Sequence, residues 1–290
     1  MSIVIRHQAE ALASRLPPLQ VQAERIAATV AQGLHGRRRA GQGESFWQFR
    51  HYEPFDEARH IDWRRSARGR DVFVRENEWE AAQSVWIWRD SSPSMRYRSR
   101  RDVPKKAERA DVLAAALAIL LVNGGENVGL LGEGMPARGG RVGLNVLIEA
   151  MTVSGGGTSA PPAEPLPRHS CVVLIADFLE PISVYRASIA ALAGRGCVGH
   201  CLQVLDPAEE GFPFAGRIRF EGTEDEDPHL LRRADRVRDE YREKLTLHRE
   251  ELRDLTAAFG WSFAAHNTDQ PADAALLALY GALSRTVVWG

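Results

Sequence analysis

Val85-Trp86-Ile87-Trp88-Arg89-Asp90-Ser91-Ser92-Pro93-Ser94 passes within ten residues from an apolar run to a polar turn. The run predicts a buried strand, because β-branched and aromatic side chains fit a pleated core surface. A carboxylate and two hydroxyls, Asp90, Ser92 and Ser94, then fall at alternate positions on the turn leaving that strand. In open α/β sheets ligands bind at this carboxyl edge, where loops leave the core. Converging there, the three side chains offer hard oxygen ligands of the kind Mg²⁺ prefers. Asp-Ser-Ser-Pro is also ordinary turn and helix N-cap composition, so other segments have to decide between the two readings.

The D-x-S-x-S spacing resembles the metal-ion-dependent adhesion site of von Willebrand factor A domains. Such domains complete the site with a threonine from a second loop and an aspartate after a later strand. Gly155-Gly156-Gly157-Thr158-Ser159 is a glycine-rich loop that lets backbone approach a ligand closely. Thr158 matches the family's threonine, with Ser159 as the rival hydroxyl. Cys171 to Ala176 is an unbroken apolar run, as expected of a central parallel strand, and it ends in Asp177. The resemblance thus implies that Asp90, Ser92, Ser94, Thr158 and Asp177 hold Mg²⁺, or Mn²⁺ or Ca²⁺, with a partner's acidic side chain completing the shell. Two carboxylates about 6 Å apart repel by roughly 3 kcal/mol at an effective dielectric of 20, which a dication between them relieves.

Composition sets the bounds. A chain of 290 residues can bury one large core, or one core plus a small subdomain. Its 44% hydrophobic and 26% charged content is ordinary for a globular protein. A net charge of −1 supplies no global field toward nucleic acid or anionic membrane. Three cysteines argue against a disulfide framework; Cys197 and Cys201 read as core residues, and a cytoplasmic location is expected. The first 16 residues carry Arg6, His7, Glu10 and Arg15 and so lack a signal peptide's apolar region. No membrane span is expected, since the apolar stretch Val112 to Val122 covers only 11 residues.

Along the chain, residues 1–35 read as helix interrupted at Pro17-Pro18, and 36–45 as a basic glycine-rich loop. Phe46 to Tyr52 and Val72 to Trp79 predict strands. Beyond Gln83, strands near 84–89, 127–131, 171–176, 198–205 and 261–265 alternate with helices near 107–122, 143–152, 181–194, 231–259 and 272–284. That alternation predicts βαβ units and a mainly parallel sheet. The fold expected is α/β, Rossmann-like, with residues 81–290 forming the A-type domain and residues 1–80 a small helical and β extension. Ala234, Val237, Tyr241, Leu245, His248, Leu252, Leu255 and Phe259 form a narrow apolar stripe in the fourth helix, suited to packing on the sheet. The acidic stretch Glu221 to Asp227 before it reads as an exposed loop.

Residues 50–68, Arg-His-Tyr-Glu-Pro-Phe-Asp-Glu-Ala-Arg-His-Ile-Asp-Trp-Arg-Arg-Ser-Ala-Arg, closely resemble the block R-x-Y-x-P-G-D-x-x-R-x-I-D-W-x-x-S-A-R of the domain of unknown function 58 family (DUF 58). That resemblance covers about residues 33–210. Phe55 stands in place of the usual glycine, and Arg89 stands where the family has an apolar residue, a cation positioned to weaken metal binding or to pair with Asp90 or Asp177. Arg50, Tyr52, Asp56, Arg59, Asp62, Trp63 and Arg68 are the candidate structural or partner-binding block. Their charges can make bidentate pairs that lock the segment in place, or they can form a surface for an acidic partner. Residues 37–75 hold ten arginines against six acids, yet Arg37-Arg38-Arg39 without aromatic stacking is a weak nucleic-acid signal.

The resemblance implies a non-enzymatic, metal-dependent protein-binding adaptor or co-chaperone working with a MoxR-type AAA+ ATPase or its client. The alternative is a metal-assisted hydrolase or phosphotransferase. Against it, neither a phosphate-binding G-x-x-x-x-G-K-[ST] nor an H-E-x-x-H pattern occurs.

Overall fold

Burial on both faces of the central strands organises the molecule, whose computed structural model describes residues 39–41, 45–52, 61–67, 71–79, 83–153, 157–221 and 229–286. Strands β4 (Ser84–Arg89), β5 (Asn127–Leu130), β6 (Cys171–Ala176), β7 (Val198–Leu205) and β10 (Ser262–Asn267) form a five-stranded sheet in the order β10-β7-β6-β4-β5. Every neighbouring pair in it is parallel. Successive strand residues point to opposite faces. Val85, Ile87, Val173 and Ile175 therefore pack under helices α2 (Lys106–Asn123), α3 (Gly140–Val153) and α7 (Ala272–Thr286). Trp86, Trp88, Val172 and Leu174 pack under α4 (Ile182–Ala193) and α6 (Arg238–Ala258). Burial on both faces explains why β6 is apolar at every position.

The expected α/β architecture is therefore present, a mainly parallel sheet flanked by helices. One boundary moves substantially. The helix expected over 231–259 is α6 from Arg238 to Ala258, preceded by β9 (His229–Leu231), which pairs antiparallel with β8 (Ile218–Phe220), and by a 3₁₀ turn over Ala234–Arg236. At 1.5 Å per residue its 21 residues span about 32 Å, a length that fits against α4 and β10. Of the predicted stripe, Ala234, Leu245, Leu252 and Leu255 are buried. Close packing at its end requires Gly199, where a Cβ would lie 2.1 Å from the Trp261 ring. Trp261 Nε1 donates to the Cys197 carbonyl at 3.1 Å. All three cysteines are free and buried.

Upstream, β1 (Arg39–Gly41), β2 (Ser45–His51) and β3 (Phe73–Trp79) form a separate antiparallel sheet in the order β1-β3-β2. Between β2 and β3 lies the short helix α1 (Trp63–Ser66), whose N-cap Asp62 accepts from the Arg65 amide at 2.9 Å. Ser66 Oγ donates to the Asp62 carbonyl at 2.8 Å and accepts from the Phe73 amide at 2.9 Å, tying α1 to β3. Residues 1–38, the acidic stretch 222–227, and Asp56, Arg59 and Arg68 of the sequence block lie outside the described residues. No helix among the described residues is long and apolar enough to cross a membrane.

Candidate functional site

Chain order within the sheet creates the site. From β4 the chain leaves to β5 on one side, and from β6 it leaves to β7 on the other. The crevice above the ends of β4 and β6 is thus a topological switch point, where open α/β sheets bind ligands. Asp90 and Asp177 each follow the last residue of one of these strands, and the Asp90 amide continues the ladder by donating to the Ile175 carbonyl at 2.8 Å.

Asp90 is fully buried. Its Oδ1 accepts from the Ser92 amide at 2.7 Å, whereas its Oδ2 has no hydrogen-bond partner. Burial, against the pull of the Ser92 contacts, pushes its carboxyl up to about 6. Ser92 Oγ lies 3.0 Å from Ser94 Oγ, and Ser94 Oγ donates to Asp177 Oδ2 at 2.7 Å. Four of the five expected metal-site residues, Asp90, Ser92, Ser94 and Asp177, therefore form one contiguous cluster.

Thr158 does not join it. Its hydroxyl donates to the Ala160 carbonyl at 2.9 Å, and it lines a separate cavity with Arg89 and Ser91. The rival hydroxyl, Ser159, shares a cavity wall with Ser94 and Asp177. What fixes this loop is Gly157, whose amide donates to Ser91 Oγ at 2.9 Å. A Cβ there would stand 2.3 Å from that oxygen, so a side chain at 157 would push the Ser91 hydroxyl aside and cost this hydrogen bond.

Lys106 and Glu209 are the residues that sequence reasoning missed. Lys106 Nζ lies 2.9 Å from Asp177 Oδ2 and 2.6 Å from Glu209 Oε1, and its side chain is 1% exposed. Burial pulls the ammonium down, but the two carboxylates outweigh it and hold it above its ordinary value. Glu209 is placed by α5 (Pro207–Gly211), where it and the N-cap Asp206 form a capping box. The D-x-x-E pattern was legible as a helix start, though not as a partner for Lys106. Three carboxylates, Asp90, Asp177 and Glu209, thus face one ammonium, leaving two negative charges without a counter-charge in the cluster.

Backbone geometry holds Asp177 in place. Phe178 adopts φ 52°, a left-handed conformation costly for a bulky residue. His248 Nε2 donates to the Phe178 carbonyl at 2.6 Å, and Gln203 Nε2 to the Asp177 carbonyl at 2.8 Å. Arg249 Nε donates in turn to Gln203 Oε1 at 2.9 Å. These bonds fix the backbone on either side of the strained residue and so hold the Asp177 carboxylate in one orientation.

Arg89 pairs with neither Asp90 nor Asp177. Its guanidinium lies 2.9 Å from Asp111 on α2 and donates to the Met151 carbonyl on α3. Residue 89 shares the sheet face of Val85 and Ile87, so its side chain runs under those two helices. Of the upstream block, Asp62 caps its own helix, Tyr52 donates its amide to the Val72 carbonyl, Trp63 is 65% exposed, and Arg50 lies on β2.

A family model described as a protein of unknown function, DUF58, matches residues 48–251. The chain belongs to this family. Uncharacterized proteins of Mycobacterium bovis and Mycobacterium tuberculosis are each 26% identical to it over 275 residues, covering 89% of this chain and 86% of theirs. Two solved structures were also matched. One is an aerotolerance-related membrane protein of Bacteroides fragilis with multiple mutations to serines, at TM-score 0.39 and 17% identity, covering 70% of this chain and 100% of that one. The other is the conserved hypothetical protein BatB of Bacteroides thetaiotaomicron, at TM-score 0.41 and 19% identity, covering 70% of this chain and 98% of that one.

Proposed function

We propose that this member of the family is a non-enzymatic protein-binding adaptor whose switch-point cluster takes a divalent cation. The observation that carries the reading is the buried Asp90 Oδ2 without a partner, beside two hydroxyls and a second carboxylate. A buried polar atom left unpaired costs about 1–3 kcal/mol, more when charged, and a cation removes that cost. The donor set fits. It consists of carboxylate and hydroxyl oxygens, which suit Mg²⁺ or Mn²⁺, and the two unbalanced charges match a dication. Among the described residues no group of three or more His, Cys, Asp or Glu is placed to hold a metal ion, so the reading depends on the Ser92 and Ser94 hydroxyls.

Asp90, Ser92 and Ser94 would hold the ion directly. Asp177, engaged by Lys106 and Ser94, would stand behind it, with Ser159 or Thr158 approaching from the second loop. Mg²⁺ keeps water and exchangeable positions, because it dehydrates reluctantly. The bound ion supplies one thing, an electrophilic corner for an acidic side chain of a partner. The family resemblance directs attention to a MoxR-type AAA+ ATPase, or its client, as that partner.

Capture of the cognate ATPase by the immobilised full chain tests this. Retention is expected in Mg²⁺, with loss in chelator and in Asp90→Asn. Equal retention in all three conditions would refute the metal-dependent reading. Turnover of phosphate esters that disappears in Asp90→Asn would favour the hydrolase instead.

A further inference from the structure

Beside the cluster lies a cavity of about 810 Å³ whose chemistry the metal-capture reading does not use. Ser94, Ser159, Asp177 and Glu209 are part of its lining, so it opens directly onto the candidate metal site. The rest of the lining comes largely from the segment after α5, from the β8–β9 hairpin and from α6. Phe212, Phe214, Phe220 and Tyr241 from these segments, together with Tyr97 beyond Ser94, make the lining aromatic. Phe212, Phe214, Phe220 and Tyr241 pack on one another. Phe212 and Tyr241 lie 4.7 Å apart, and Phe214 meets Phe220 edge-to-face at 5.2 Å and 88°. Phe212 also meets Phe214 edge-to-face at 5.2 Å and stacks on Phe220 at 5.9 Å, yet Phe214 and Phe220 stay only half-buried, so part of their ring surface faces the cavity.

Charge selects that third group. The cavity is lined by Asp177, Glu180, Glu209 and Glu221 against the single cation Arg219. Arg219 is matched by Glu221 at 3.5 Å, and Lys106 serves Asp177 and Glu209 together. Glu180 has no ion pair among the described residues, so the lining keeps an excess of negative charge. Ring faces carry negative electrostatic potential and attract cations, arginine most often among side chains. The chain already shows the contact: Lys106 Nζ stands 6.0 Å from the centroid of Tyr97, at the edge of this same cavity.

We infer that the cavity is a docking groove for a protein partner's segment and seats an arginine or lysine side chain between the aromatic wall and Glu180. A guanidinium fits better than an ammonium, because its plane stacks on a ring while its N–H groups reach a carboxylate. The volume exceeds one side chain and falls in the range of pockets that hold small ligands or several residues of peptide. The inference rests on the metal-capture reading only in placing an acidic residue of the same segment next to the cation. The partner motif is thus a carboxylate and a cation a few residues apart, a pattern that rejects both purely acidic and purely apolar segments.

A positional-scanning heptapeptide array, probed with the labelled full-length chain in Mg²⁺ and again in EDTA, tests it. Arginine, followed by lysine, should be enriched at least five-fold at one position in both buffers, and an acid at another position in Mg²⁺ only. Glu180→Gln should cut the cationic enrichment at least three-fold while leaving the melting temperature and the acidic preference unchanged, and Phe220→Leu should cut it as far while leaving the acidic preference unchanged. Phe220→Leu keeps an apolar side chain but loses the ring and its packing on Phe212 and Phe214, so a modest fall in melting temperature accompanies it. Acidic selection without cationic selection overturns the groove assignment and spares the metal reading. Cationic selection without a Mg²⁺-dependent acidic preference supports the groove and overturns the metal reading. Enrichment of apolar residues, or of no residue, overturns the assignment. So does binding of spermidine or tetramethylammonium by a chain that ignores arginine peptides.

Discussion

The turns after β4 and after β6 occupy equivalent places on adjacent parallel strands, yet their carboxylates are treated oppositely. Asp177 accepts from Ser94, Lys106 and the Leu179 amide, the last at 3.3 Å, and its carbonyl is tied down by Gln203. Asp90 is buried as deeply, but one of its oxygens has nothing. A saturated carboxylate holds structure together; an unsaturated one in the same crevice is set to receive something from outside. The turn after β6 is therefore scaffold and the turn after β4 is receptor, a distinction that substitutions can probe one side at a time.

The largest effect is expected on the scaffold side. Lys106→Met leaves Asp177 and Glu209 facing each other without a counter-charge. Breaking a buried pair in this way costs about 3–5 kcal/mol, read as a lowered urea midpoint or melting temperature. A midpoint shift below about 1 kcal/mol would mean that the pair is open to water and the contrast is false.

A third strand end supplies a contrast in sign. His266, near the end of β10, is pushed down to about 4 by burial and then by Arg109. Its unfolded value is near 6.5, so the native state refuses a proton that the unfolded chain accepts between those limits. Stability contributed by neutral His266 is full above about pH 6.5 and is lost as the pH falls through 4, by at most about 3 kcal/mol. His266→Gln should flatten that limb of the stability-pH curve; an unchanged slope would assign the acid sensitivity elsewhere.

On the receptor side the expected stability effect is smaller and reversed. Asp90→Asn removes a desolvated carboxylate and should leave the metal-free protein unchanged or more stable by about 1 kcal/mol, in line with its raised carboxyl. A loss of more than about 2 kcal/mol would make Asp90 a structural group and not a receptor. Gly157→Ala is the mildest change. Its methyl would strike Ser91 Oγ, so it should displace the second loop and weaken Mn²⁺ binding several-fold with little change in melting temperature.

Much of this arrangement was legible in the chain. Apolar runs bounded by turns gave all five parallel strands within a few residues, and the position of Asp90 and Asp177 after two of them followed directly. Their convergence needed one further fact, that β4 and β6 are neighbours, which spacing alone does not state but the resemblance implied. Lys106 escaped because it sits at the start of an alanine-rich helix, where a lysine normally reaches solvent. Only the tertiary position of Glu209 turns it inward. The choice between Thr158 and Ser159 was equally hidden, since adjacent loop residues point in directions set by how Gly157 docks on Ser91. The start of α6 was misjudged because an apolar stripe continues through Ala234 and Val237, and periodicity cannot register that β9 and a 3₁₀ turn come first.

The central claim is that the unpaired oxygen of Asp90 marks a cation site. Mn²⁺ titration of the full chain, followed by the loss of the free-ion paramagnetic resonance signal, tests it most directly. A single Mn²⁺ should bind the wild-type protein and be displaced by Mg²⁺, while folded Asp90→Asn binds none. Stoichiometric Mn²⁺ binding retained by Asp90→Asn, or absent from the wild type, would contradict the account.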